Sequence, residues 1–176
     1  MEVYVKKELS FEQYNAKVTG SYAKTTATSN VPVDYSDIPP VRDQGSASSV
    51  LSYDMPSRLV SDGILKTPLW GDITLSYFLD VHSGLPYSVN NDDGIIVGRF
   101  NSYRLPYFAS LNFVVSKTIK KFGDGGKWPL RLRGGMEDSL GRKNYSGINA
   151  NLDSPQFGEL YDLQCRRLIG GIAFGF

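Results

Sequence analysis

The feature that most constrains this chain is a hydropathy period of two, interrupted by connections that are alternately short and long. Tyr107, Ala109, Leu111, Phe113 and Val115 form an apolar row, while Ser110, Asn112, Ser116 and Thr118 form a polar one, with Val114 the exception. Alternate side chains of a strand face opposite sides, so such a stretch reads as a strand with one apolar face. The same reading fits Ile73, Leu75, Tyr77, Leu79 and Val81, and again Tyr14, Ala16, Val18, Gly20 and Tyr22. It returns at the end, in Leu168, Ile172, Phe174 and Phe176. About seven strands are expected, near 2–9, 13–26, 57–67, 71–81, 106–122, 128–137 and 165–176. Several have the roughly 9–11 residues that a tilted strand needs to cross a bilayer.

The connections sharpen this. Residues 10–12, 68–70 and 123–127 are short turns, carrying Pro68, Gly123, Gly125 and Gly126. Residues 27–56, 82–105 and 138–164 are long and polar. Strict alternation places the three long connections at one end of a strand meander. Connections beyond about 12–15 residues are uncommon in compact domains. Short turns at one end and long loops at the other are the pattern of outer-membrane barrels. The expected fold is therefore all-β: an antiparallel up-and-down meander of about seven strands, spanning 1–176 and forming part of a transmembrane β-barrel. A soluble all-β domain is the competing reading. As a β-sandwich binding module it would carry long loops at both ends of the sheet and a more polar outer face.

Aromatic residues gather at the strand ends. Trp70, Phe122, Trp128, Phe174 and Phe176 sit at the short-turn end; Tyr103, Tyr107 and Phe108 sit at the long-loop end. Two aromatic girdles are expected where a barrel meets the membrane interfaces, although strand-end aromatics of a soluble sheet would look alike. Arg131 and Arg133 alternate with Leu130 and Leu132. If the leucines face lipid, the arginines face the lumen, with Arg58, Asp62 and Asp80 as further lumen candidates. Ion pairing to neighbouring strands or to a plug is the plainer role for these charges, and substrate contact the alternative.

Composition narrows the chemistry. Nineteen basic and 18 acidic residues give a formal charge of +1, which offers no electrostatic footprint for nucleic acid. The single cysteine, Cys165, excludes an internal disulfide, and the single histidine, His82, argues against a histidine-rich metal site. His82 reads as a solvated loop-end residue and Cys165 as an unreactive strand residue. Asn90-Asn91-Asp92-Asp93-Gly94 offers oxygen ligands but lacks the spacing of an EF-hand, so Asx-turn chemistry explains it more simply than calcium. Gly123-Asp124-Gly125-Gly126 has no following Lys-Ser/Thr and reads as a hairpin turn rather than a phosphate loop. No nucleophile–base pair or metal set is apparent, so neither an enzyme nor a cofactor is expected. No apolar run of about 18 residues marks a transmembrane helix. No signal peptide follows Met1, so an exported protein is expected to begin upstream of it.

Phe176, preceded at alternate positions by Phe174, Ile172 and Leu168, resembles the β-signal read by the barrel assembly machinery of outer membranes. Ser52 to Val89 resembles a recurrent barrel segment of TonB-dependent outer-membrane receptors, in the Oar-like subgroup that carries an N-terminal carboxypeptidase-regulatory-like domain. Arg58 stands at the start of a strand, Pro68 at the periplasmic turn, and Ser83-Gly84-Leu85-Pro86 after the next strand. Tyr103 to Gly123 is similar to the family strand that begins after a proline and ends in Ser-Lys, here Ser116-Lys117. Asn144 to Leu160 resembles its last extracellular loop, and the terminal segment from Arg166 its closing strand. The resemblance covers most of 52–176 and rests on order and spacing, since no single motif is specific. It departs at Met136 to Gly141, where the family has an Asn- and Phe-rich stretch, and at 27–50. It implies a 22-stranded barrel closed by a plug and energised through TonB, of which this chain would be the C-terminal portion. The implied partners are outer-membrane lipid, the remaining barrel and plug, TonB and the assembly machinery. A structural or adhesion barrel without transport is the alternative within the membrane reading.

Overall fold

A computed structural model describes residues 1–11, 14–29, 49–68, 72–122 and 128–174. The described residues hold no helix. In chain order the strands are β1 (Glu2–Phe11), β2 (Tyr14–Lys24), β3 (Thr28–Ser29), β4 (Ser49–Val50), β5 (Ser57–Thr67), β6 (Ile73–His82), β7 (Pro86–Tyr87), β8 (Tyr103–Arg104), β9 (Phe108–Phe122), β10 (Trp128–Glu137), β11 (Asn144–Ile148), β12 (Leu160–Gln164) and β13 (Arg167–Phe174). The seven long ones make a single sheet in the order β1-β2-β5-β6-β9-β10-β13. Every neighbouring pair in it is antiparallel, so the sheet is a meander. The expected all-β meander and its seven strands are present, with bounds shifted by a few residues.

The sheet is open. Among the described residues β1 pairs only with β2, and β13 only with β10. Each of these edges leaves a row of backbone donors and acceptors available to a further strand. Inside the sheet the ladders are regular except for a register shift between Trp128 and Leu130. Gly63 on β5 lies opposite Tyr77 on β6, whose ring occupies the space a Cβ at Gly63 would need. The ring covers a backbone that would otherwise be bare, the usual rescue of a glycine within a strand.

The long connections are more structured than the sequence led us to expect. The stretch 138–164 holds the β11–β12 hairpin, 82–105 holds β7–β8, and 27–56 holds β3–β4. Cys165 lies between β12 and β13 rather than within a strand, and it is exposed. Burial follows the connections and not the sheet. Val89, Ile96, Asp54, Asn101, Asp138 and Asn144 are buried, and all sit in or beside the long connections. Among buried apolar residues of the sheet, Ala109 lies at its long-connection end and Leu130 is the one at the other end.

Candidate functional site

Register fixes which residues share a face, because Cα partners across antiparallel strands point the same way. On one face, β1 places Val3, Val5 and Leu9; β2 places Tyr14, Ala16, Val18 and Tyr22; β5 places Leu59 and Leu65. The same face continues with Leu75, Tyr77, Leu79 and Val81 of β6, Leu111, Phe113 and Val115 of β9, Leu130, Leu132 and Met136 of β10, and Leu168, Ile172 and Phe174 of β13. It contains no acidic residue in any of the seven strands; Lys7 and Lys117 are its charges away from the strand ends. Much of it is open, with Val5, Val18, Leu75 and Val115 exposed, whereas Ala109 and Leu130 are buried. Leu168, Ile172 and Phe174 are 78%, 68% and 54% exposed. Of the large apolar side chains exposed on the sheet, only Tyr4, Ile64 and Phe78 belong to the other face.

The opposite face is polar. It carries Lys6, Glu8, Lys17, Arg58, Asp62, Lys66, Asp80, Arg131, Arg133, Glu137 and Arg167. Arg58 donates to Asp80 on the neighbouring strand at 2.8 Å, and Arg167 pairs with Glu137 at 2.9 Å. Thr19 donates to Asp62. Arg131 and Arg133 stand beside Thr118 and Ser116 in register, exposed, and neither is ion-paired within the described residues. The five residues singled out as lumen candidates, Arg58, Asp62, Asp80, Arg131 and Arg133, thus share one face; Asp62 is held by Thr19. The other four divide into a paired couple near the long connections and an unpaired couple nearer the short ones.

Aromatics mark the ends of the apolar face. On β2, Tyr14 and Tyr22 are exposed at opposite ends of the strand. Their separation is roughly 27 Å at about 3.4 Å per residue, and a strand tilt of about 35–45° projects it onto roughly 20 Å, near the ~25 Å apolar band of membrane barrels. The spacing of these two tyrosines by eight residues in one alternating row is the sequence signal for the pair, which the strand-end aromatics named above do not include. Phe174 is exposed at the short-turn end of β13. Phe122 and Trp128 are Cα partners at the end of the β9–β10 ladder. Trp70, Phe176 and the glycines of 123–126 lie outside the described residues. At the other end Tyr107 is exposed, with the Arg142 guanidinium 3.4 Å above its ring and donating to its hydroxyl at 2.5 Å. Tyr103 stacks on Tyr87 at 5.7 Å within the β7–β8 hairpin, so it belongs to the loop layer.

That loop layer is tied together by side chains bonding to backbone. Asp54 is 1% exposed; one carboxylate oxygen accepts from the Ala27 amide at 2.5 Å and the other pairs with Arg104. Arg104 also donates to the carbonyls of Asp54 (2.9 Å) and Gly84 (3.1 Å). Asn101 donates to the Val50 carbonyl at 2.7 Å and accepts from Ser88. These bonds fasten the 25–56 connection to the 83–107 one. Asn151 donates to Asp92 at 2.7 Å, the Asp92 amide donates to Asp153, and Asn90 bridges in parallel to Asn151, which fastens 83–107 to 138–166. Asn144 bonds both the amide and the carbonyl of Ala109, as a strand neighbour would. Asn101 and Asp138 hold positive φ (52° and 50°), which short polar side chains tolerate better than most.

The remaining candidates fall into this layer or its border. The Gly94 amide donates to the Asn91 carbonyl at 3.0 Å and Gly94 has φ 75°, so residues 91–94 form a backbone β-turn, with the Asn91 side chain accepting from the Ile95 amide at 2.8 Å. His82 is half-buried rather than solvated: its ring stacks on Phe108 at 4.7 Å and Nδ1 lies 2.9 Å from the Ser83 carbonyl. No group of three or more His, Cys, Asp or Glu that could hold a metal occurs among the described residues. No described helix is long and apolar enough to cross a membrane, which is silent on crossing by strands. No family model, curated protein or solved structure matches the chain.

Proposed function

We propose that the chain is part of a transmembrane β-barrel, with its apolar face toward lipid and its charged face toward a lumen. We further propose that it forms the C-terminal barrel portion of an outer-membrane TonB-dependent receptor that takes up a ligand into the cell. The observation that carries the membrane reading is the division of the sheet: seven adjacent strands present one largely apolar face without an acid, with Lys7 and Lys117 its charges away from the strand ends, and one face rich in charge, and large apolar side chains of the first face remain exposed. In water this arrangement is unfavourable, since apolar area left exposed forgoes roughly 25 cal/mol per Å². A soluble sandwich would bury that face under a second sheet, whereas the other described sheets have two strands each. The strand lengths support the same reading: β1, β2, β5, β6 and β10 have 10 or 11 residues, near the length that crosses a tilted bilayer. Both open edges suit continuation by further strands, because a spanning sheet must close on itself. The receptor assignment, with TonB and a plug as partners, rests on the family resemblance of the sequence.

Fractionation of cells expressing the complete reading frame that encodes the chain tests the membrane reading. The protein is expected in the outer membrane, resistant to urea or carbonate wash and released by detergent. A monomer that stays in solution without detergent and melts cooperatively would overturn it. Cross-linking to TonB in those cells tests the receptor part separately: a barrel without any TonB adduct would leave a structural or adhesion barrel instead.

A further inference from the structure

The apolar face is not uniformly filled. Along β9, β10 and β13 three neighbouring rows cross it: Phe113–Met136–Leu168, Val115–Gly134–Gly170 and Lys117–Leu132–Ile172. The middle row has Gly134 where its neighbours on β10 have large side chains, and a groove of about 530 Å³, open to the surroundings, lies there. Phe113, Leu132, Met136 and Leu168 wall it. A Cβ at Gly134 would meet nothing within 4 Å, and one at Gly170 only the Arg133 carbonyl at 3.9 Å. Neither glycine is therefore needed for close backbone packing, nor does either hold positive φ. Lys117 also lines the groove.

Lys117 supplies the second argument. Its ammonium sits on a face without an acidic residue, and no ion pair holds it within the described residues. Its Cα partner is Ile73, the first residue of β6, so it stands near the short-turn end of the strands. A cation on a lipid face is costly at the bilayer midplane and tolerated near the interface, where its stem can extend along apolar surface toward headgroups. Resting on the lipid-facing reading above, we propose that this groove is a phospholipid site: one acyl chain lies over Gly134, and the phosphodiester meets Lys117. The glycine supplies the space and the lysine the complementary charge.

The test uses the complete protein purified from outer membranes in mild detergent and exposed to mixed micelles of phosphatidylethanolamine and phosphatidylglycerol. Retained lipid is counted by phosphorus assay and native mass spectrometry. The unaltered protein is expected to retain about one phospholipid after extensive washing. K117Q and G134L are each expected to lower retention about tenfold. K117R should restore it, and G171S on the opposite face should leave it unchanged. Equal retention by all variants, with each still in the outer membrane, would overturn the lipid site alone. A protein absent from the membrane fraction would overturn the membrane reading and the lipid site together.

Discussion

The seven long strands expose side chains on both faces, whereas the three long connections bury theirs against one another. In the sheet the backbone ladders are regular, yet Leu168, Ile172, Val5 and Leu75 remain open to the surroundings. In the connections the backbone is irregular, yet Asp54, Asn101, Asp138 and Asn144 are buried and hydrogen-bonded. The loop layer looks like the interior of a protein built for water, where most buried polar groups find partners, with Asp138 Oδ2 and Arg142 Nε the exceptions among the described residues. Between its two open edges the sheet satisfies its backbone and leaves apolar side chains to the solvent, which is the arrangement a hydrocarbon solvent rewards. One chain thus carries two kinds of packing, and the boundary lies where β5, β6, β9 and β10 enter the long connections.

Substitutions can break this comparison. The largest effect is expected in mid-sheet. Leu75→Arg places a charge in the centre of the apolar face, between Leu65 and Val115, and should cost about 2–4 kcal/mol if that face meets lipid. The loss is read as a smaller folded fraction in denaturant titrations from lipid vesicles. Ser76→Arg, one residue on and facing the other way, should have little effect.

In the loop layer Asp54→Ala removes the partner of Arg104 and the acceptor of the Ala27 amide. The expected cost is about 2 kcal/mol, below that of a fully buried pair because Arg104 is partly exposed. It should appear as faster proteolysis of 25–56 and 83–107 while the sheet stays protected. A sheet that unfolded together with the loops would erase the division between the two regions. Asn144→Ala leaves the buried Ala109 amide and carbonyl without their partners. About 1–3 kcal/mol is expected, read by hydrogen exchange at the upper end of β9. The smallest effect is expected from Arg58→Ala, since its pair with Asp80 is exposed on the arginine side. A change under about 1 kcal/mol in the same vesicle titration would fit.

The two regions differ just as much in how far the sequence discloses them. The rows Tyr107–Val115 and Ile73–Val81 alternate over enough residues to define strands, and the unequal connections set the order of the meander. The polar face holding Arg58, Asp80, Arg131 and Arg133 follows from the same parity. Little in the sequence discloses the loop layer. Arg104 meets Asp54 across 50 residues and Asn144 meets Ala109 across 35, so neither pair leaves a local pattern. The strands β11 and β12 have five residues each, too few for a period of two to stand out from a polar loop. The lone His82 reads as solvated because its stacking partner Phe108 arrives from another strand. The groove beside Gly134 is illegible for a related reason: its walls Phe113, Met136 and Leu168 become neighbours only once β9, β10 and β13 are in register.

The central claim is that one face of the sheet meets lipid. A cysteine scan along β9 tests it most directly, in a Cys165→Ser background because Cys165 is exposed. A fluorophore is attached in turn at positions 110 to 115 of the complete protein in lipid vesicles. The expected result is a period of two: labels at 111, 113 and 115 are quenched by brominated lipid, and labels at 110, 112 and 114 by aqueous iodide. Iodide quenching at all six positions, with no response to brominated lipid, would contradict the account.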